Sequence, residues 1–273
     1  MGRVAVVTGA NQGLGLALVN GLAAAWTADD TVYLTGRDSA RVAEAAGAAT
    51  GGPAQVVPEV VDVTVDQAVT DLAERLRARH GGVDVVISNA AARLTPDRPQ
   101  AEQVRSFVDT NNYGTTRMIR AFGPLLRPGG RFVVVASDFG SLRNLPEHLH
   151  ARFDGDARSL ADINAVMSDY VTAVESGRAA HEGWPEWINV ASKVGQVAAT
   201  RLFARDPSTS DAFVVAACPG LVDTAASRPW FDDMSSAQTP EEAAAAVVAL
   251  ASGPVDPAHR GELVQFGRVR PWT

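Results

Sequence analysis

Apolar residues fall along this chain in two alternating patterns. Short runs rich in β-branched residues stand at Arg3–Val7, Thr31–Thr35, Gln55–Val61, Val83–Ser88, Arg131–Ala136 and Ala212–Ala217, with a weaker seventh at Glu262–Gln265. Several lack any apolar–polar alternation, which predicts strands covered on both faces, as in a parallel sheet. Between them lie alanine- and leucine-rich stretches at 14–26, 39–49, 65–80 and 101–126. Their apolar residues recur at helical spacing; Val69, Leu72, Ala73 and Leu76 mark one such face. Strand alternating with helix implies βαβ units with right-handed crossovers, hence an α/β fold with a doubly wound parallel sheet, one domain spanning 1–273.

The rhythm breaks between residues 138 and 188. An irregular stretch rich in Gly, Pro, His and Asp surrounds one predicted helix, Leu160 to Glu175. It reads as too polar for core and follows a strand's C-terminal end, the edge at which open α/β sheets bind ligands. That position predicts a substrate cover or an interface blocker. Further on, Thr239-Pro240-Glu241 is a helix start signal ahead of the alanine run 243–246.

Composition narrows the function. Apolar residues make up 46% and charged residues 20%, enough for a sizeable core. The net charge of −7, with both signs interspersed, argues against nucleic acid as a partner, since phosphate neutralisation needs a basic face. The single cysteine, Cys218, excludes an intrachain disulfide and a cysteine-based zinc cluster. His148 and His150, at i, i+2, read as loop residues and not as a metal pair. No signal-peptide pattern and no long apolar span are visible, so a soluble, cytoplasmic chain with no membrane partner is expected.

The chemistry begins right after the first strand. Thr8-Gly9-Ala10-Asn11-Gln12-Gly13-Leu14-Gly15 joins that strand to an amphipathic helix. Glycines there permit a tight turn and let backbone N–H groups approach a pyrophosphate at the helix's positive end. The second strand ends Leu34-Thr35-Gly36-Arg37-Asp38. A fold that prefers NAD usually places a carboxylate at this tip, against the ribose hydroxyls. Here Arg37 can pair a 2′-phosphate, so NADP(H) is the expected cofactor, and Asp38 can cap the next helix instead.

These residues resemble the short-chain dehydrogenase/reductase family, in its carbonyl-reductase-like branch, over nearly the whole chain. Gly9, Asn11, Gln12, Gly13, Leu14 and Gly15 lie in the family's cofactor turn, and Asp62-Val63 matches the acid that contacts adenine. Ser88-Asn89-Ala90-Ala91 stands for its Asn-Asn-Ala-Gly segment, with Asn89 matching and Ser88 and Ala91 departing. Thr110-Asn111-Asn112-Tyr113-Gly114 matches the helix carrying the active-site asparagine, Asn111, and Ala136-Ser137 the catalytic serine, Ser137. Cys218-Pro219-Gly220-Leu221-Val222-x-Thr224 matches the nicotinamide-side loop, where the resemblance puts Thr224 at the carboxamide. Glu182-Gly183-Trp184-Pro185 and the helix before it resemble the branch's insertion, which implies a monomer or weak homodimer.

One signature departs. The family's Tyr-x-x-x-Lys pair sets both side chains on one helix face, where the ammonium binds the cofactor ribose and lowers the phenol's pKa. This chain reads Trp187-Ile188-Asn189-Val190-Ala191-Ser192-Lys193: the lysine is present and the tyrosine is Asn189. An asparagine amide can polarise an oxygen but does not release a proton near neutral pH. The expected function is an NADP(H)-dependent reductase of a C=O, C=N or activated C=C bond in a bulky, largely apolar substrate. Asn111, Ser137, Asn189, Lys193 and Asp138 are its candidate catalytic residues, with Asp138 and then Tyr170 as candidate acids. Phe139, Leu142, Leu145, Trp184, Trp187, Trp230 and Phe231 suit such a ligand. A non-redox cyclase or isomerase retaining NADP(H), and a catalytically silent NADP(H)-binding protein, are the alternatives.

Overall fold

In a computed structural model, residues 2–49, 52–155 and 158–273 are described. Met1, Thr50, Gly51, Asp156 and Ala157, which fall within the expected domain and, for the last two, within the insertion, lie outside the described residues. The strands are β1 (Val4–Val7), β2 (Thr31–Gly36), β3 (Gln55–Val60), β4 (Val83–Ser88), β5 (Leu126–Val135), β6 (Phe213–Cys218), β7 (Leu263–Gln265) and β8 (Arg268–Arg270). They form one sheet ordered β3-β2-β1-β4-β5-β6-β7-β8, parallel through β7 and antiparallel at β8. β1, β2 and β6 are buried at every position, as strands covered on both faces must be. β3 is more exposed and carries Pro58, which an edge strand tolerates because one of its sides needs no ladder bond.

The helices are α1 (Gly13–Ala25), α2 (Ser39–Ala48), α3 (Asp66–His80), α4 (Gln100–Val108), α5 (Gly114–Phe122), the single turn α6 (Ala151–Asp154), α7 (Leu160–Glu175), α8 (Ile188–Arg205) and α9 (Pro240–Ser252). Asp38 caps α2 through Arg41 N–H at 3.0 Å, as its place in the sequence predicts. Thr239 and Glu242 form a reciprocal capping box on α9.

Three expectations need correction. The stretch 101–126 is not one helix: a π turn at Asp109–Tyr113 separates α4 from α5, and Gly123-Pro124 ends α5. β5 consequently begins at Leu126, which pairs with Val83. The insertion 138–188 is not too polar for core. Ile163, Met167, Tyr170 and Val171 line one face of α7 and are buried with Leu142, Leu145, Leu149, Phe153 and Trp184. Its polar residues occupy the other face, so average polarity hid an amphipathic element. Last, the two-residue turn Phe266-Gly267, both at positive φ, folds β8 back onto β7, a hairpin the apolar pattern did not mark.

β1 is the point at which strand order reverses, with β2 on one side and β4 on the other. The crevice beyond the carboxyl ends of β1 and β4 is where an open α/β sheet binds ligands.

Candidate active site

The glycine turn is built against that crevice. Gly9 and Gly13 adopt φ of 61° and 51°, where a side chain is strained. A Cβ on Gly15 would stand 2.3 Å from the Gly9 carbonyl, so the start of α1 approaches the turn more closely than any other residue allows. The end of β4 clasps the turn from below. Thr8 Oγ1 accepts the N–H groups of Asn89 and Ala90 at 2.9 and 3.0 Å, and Asn89 Nδ2 donates to the carbonyls of Thr8 and Gly9. These bonds leave the first N–H groups of α1 for a ligand, because the Gln12 side chain caps none of them.

The β2 side completes a dinucleotide cradle. Asn11 Oδ1 lies 3.1 Å from where a Gly36 Cβ would sit, which places Asn11 beside the strand tip that carries Arg37. Arg37 is exposed, and among the described residues it has no ion pair or hydrogen bond. Arg41, which the sequence reading passed over, adds a second exposed cation in the first turn of α2. Asp62 Oδ1 accepts from Thr64 N–H and Oγ1 in a local turn, while the Val63 side chain is buried against Gly114. Only the backbone at 63 can therefore face a ligand.

The loop after β6 closes over the cradle from the other side. Gly220 takes a φ of 83°, and Thr224 Cγ2 lies 3.5 Å from a Cβ built on Gly13. Gln238 closes the loop's base: its Nε2 donates to Pro219 O, its N–H to Leu221 O, and its own carbonyl accepts Asp223 N–H. Val222 is buried beside it in a one-residue bridge to Gln238. Thr224 Oγ1 lies 3.1 Å from Ser227 Oγ. Neither Gln238 nor Ser227 carries a signal in sequence; each works by reaching backbone atoms of a distant or folded-back segment.

The reacting end gathers on β5, the π turn and α8. Ser137 caps the short turn at Asp138–Gly140, and Gly140 packs so closely on α8 that a Cβ there would stand 3.1 Å from the Lys193 carbonyl. Lys193 Nζ donates to Val135 O at 3.1 Å, at the tip of β5. Burial pulls its pKa down to about 8, although the nearby Cys218 thiol acts slightly in the opposite sense. Asn189 is half-buried one turn earlier on α8. Asn111 lies in the π turn; its Oδ1 accepts Ala92 N–H at 2.9 Å, and its buried Nδ2 has no partner. An orphaned buried donor beside the crevice fits a bound group.

Two residues that the sequence reading missed hold this end together. Asn112 and Ser192 make a buried two-way clasp, Asn112 Nδ2 to Ser192 O and Ser192 Oγ to Asn112 Oδ1, both 2.8 Å. The π turn and α8, eighty residues apart in sequence, are pinned through it.

The candidate acids do not fit. Asp138 is exposed, its carboxylate engaged by the Arg270 guanidinium at 2.8 and 3.2 Å. Tyr170 has 0% exposure and packs on Trp184 with ring centroids 4.7 Å apart; burial pushes its phenol up, away from ionisation. Trp184 is likewise core, but Trp187 belongs to an aromatic wall with Phe139, Trp230 and Phe231 at 5.1, 5.5 and 6.4 Å. Trp230 Nε1 ties that wall to Leu94 O. His148 and His150 bond to the carbonyls of Glu182 and Leu145 respectively.

Comparison with known proteins agrees with this geometry. The family model described as short chain dehydrogenase matches residues 3–147. Carbonyl reductase (NADPH) 3 of Rattus norvegicus is 33% identical over 99% of this chain and 98% of its own length. Carbonyl reductase (NADPH) 1 of Bos taurus is 31% identical over 98% of both. The solved structure of salutaridine reductase from Papaver somniferum superposes with a TM-score of 0.83 at 25% identity, covering 96% of this chain and 99% of that one. Glycine turn, switch-point crevice and matched relatives converge: the chain belongs to the short-chain dehydrogenase family and is a carbonyl-reductase-like oxidoreductase.

Proposed function

We propose that this protein is an NADP(H)-dependent reductase acting on a C=O, C=N or activated C=C bond of a bulky, largely apolar substrate, without a tyrosine acid. The observation that carries the reading is the order kept around position 189. Lys193 sits one turn away, the Ser137 turn rests on the same helix, and Asn111 keeps an unpartnered amide at the crevice. Bound NADP(H) would supply hydride. The Gly9–Gly15 turn, Asp62, Asn89, Ala90, Pro219, Gly220, Val222, Thr224 and Lys193 would hold it, and the unpaired Arg37 favours the 2′-phosphate form. The relatives that bear NADPH and carbonyl reductase in their names support the same class. Asn189 and Ser137 would donate hydrogen bonds to the substrate's reacting atom, and Trp187, Trp230, Phe231 and Phe139 would wall its apolar body.

Among the described residues no helix is long and apolar enough to cross a membrane. A cytoplasmic site of action and a monomeric or weakly dimeric state belong to the same reading; α7 lying across α4 and α8 supports the latter.

Loss of NADPH absorbance against a panel of ketones, quinones and cyclic imines tests the proposal. At least one substrate is expected to be reduced, and Asn189→Tyr is expected to raise reduction of a simple ketone by about 10²-fold. Tight NADPH binding with no member of the panel reduced would transfer the case to a non-redox or silent protein.

A further inference from the structure

Hydride delivered to a carbonyl leaves an oxygen that needs a proton, and tertiary structure disposes of the obvious donors. Asp138 is committed to Arg270 and Tyr170 is sealed in the core. Tyr33 bonds to His80, and the Tyr113 hydroxyl, though on the π turn, donates to the Asn164 carbonyl of α7 and is pushed away from ionisation by burial. Lys193 remains as a proton-bearing group at the crevice, and it is the only lysine in the chain: every other basic residue among the 24 is arginine. An arginine at 193 would keep the positive charge and bind sugar hydroxyls equally well. It could not release a proton, because a guanidinium stays charged at any ordinary pH.

The placement suits a donor. Nζ is fixed on Val135 O, two residues before Ser137. From Ile188 to Val194 every α8 residue is buried except Asn189 and Lys193, which at i, i+4 share a face. That face is where α8 opens onto the crevice.

We propose that Lys193 is itself the proton donor of the reduction, acting directly or through one water held beside Asn189. The proposal rests on the reductase reading. As hydride reaches the carbonyl carbon, the C=O π pair moves to oxygen, and that oxygen takes a proton from the Nζ ammonium. The neutral amine left behind regains its proton from solvent. Burial supports the role by bringing the ammonium's pKa toward neutrality, where general acids work best. The groups packed around Nζ leave it free to titrate. On β6 burial pushes the Cys218 thiol up, Asp138 on the turn after β5 pairs with Arg270, and the π turn carries the amides Asn111 and Asn112.

A single lysine makes the test direct. In full-length protein carrying Nζ-¹⁵N lysine, NMR should show one side-chain ammonium signal with a midpoint near 8. An ordinary midpoint of about 10.4 overturns the proposal whatever the enzyme reduces. Kinetically, a tetralone is compared with an N-methyl dihydroisoquinolinium, whose C=N⁺ carbon accepts hydride and needs no proton. Ketone reduction should fall about tenfold per pH unit above the NMR midpoint, with no matching fall for the iminium. Lys193→Arg should lower the ketone-to-iminium rate ratio by about 10²-fold. Identical pH profiles, or an unmoved ratio with both compounds reduced, defeat the lysine assignment and leave the reductase reading standing. NADPH binding with neither compound reduced defeats the reading and the assignment together.

Discussion

In the proposed reductase, Asn189 shifts the chemical burden onto its neighbours. With an amide where a phenol would stand, hydrogen bonding and proton transfer no longer reside in one side chain. Lys193 also costs stability, because its folded-state pKa of about 8 lies below the value of about 10.4 it takes in the unfolded chain. A lysine with a depressed pKa opposes folding wherever it is charged in both states. Lys193→Met is therefore expected to stabilise the ligand-free protein fully below about pH 8. That gain should shrink between pH 8 and about 10.4 and vanish above it. Denaturant unfolding of both proteins across that range checks the sign; a gain independent of pH would refute it. The residue types at 189 and 193 were legible in the sequence, but the low pKa was not, since desolvation comes from segments that meet only in the fold.

At the scale of elements, the site depends on how α8 is docked. The Asn112–Ser192 clasp is a buried polar tie between α8 and the π turn, while Asn111 next to it bonds to Ala92 N–H on the other side. Asn112→Ala should cost about 1–3 kcal/mol in chemical unfolding, since it leaves the buried Ser192 hydroxyl without its partner. NADPH affinity should weaken along with stability, because Asn111 and Lys193 lose their common frame. A stability change below about 0.5 kcal/mol would show the clasp to be incidental. The strands β1 to β4, β6 and β7, the second half of β5, and the helices α1, α2, α3 and α7 were readable from periodicity. The π turn was not, because its apolar spacing differs from a regular helix by one residue in a single turn.

At the scale of the molecule, the sheet's lower edge is stapled by Asp30. Its buried carboxylate accepts from the Arg3 guanidinium, Arg3 N–H and Thr27 N–H, joining the starts of β1 and β2. Burial alone would raise its pKa, but these bonds outweigh that and hold it far below the usual carboxylate range. A group depressed on folding lends stability that is present above its unfolded pKa of about 3.9 and is lost as pH falls further toward its folded value. Asp30→Asn should therefore lower stability at neutral pH and flatten the acid limb below about pH 4, as followed by unfolding at graded pH. An unchanged acid limb would mean that other carboxylates dominate.

Sequence by itself determined the doubly wound sheet, the glycine turn after its first strand and the asparagine at position 189. Each is a local matter: strand burial shows in uninterrupted apolar runs, the turn needs glycine at fixed offsets, and Asn189 is a residue identity. Tertiary structure alone decided which groups remain free to act. Asp138 looked like an acid until Arg270, from the far end of the chain, closed on it, and Tyr170 looked available until α7 turned it inward. Among the described residues Arg37 stayed unpaired, and burial lowered the pKa of Lys193. Charge state and availability are set by partners distant in sequence, through desolvation and ion pairing, and only the folded chain brings those partners together.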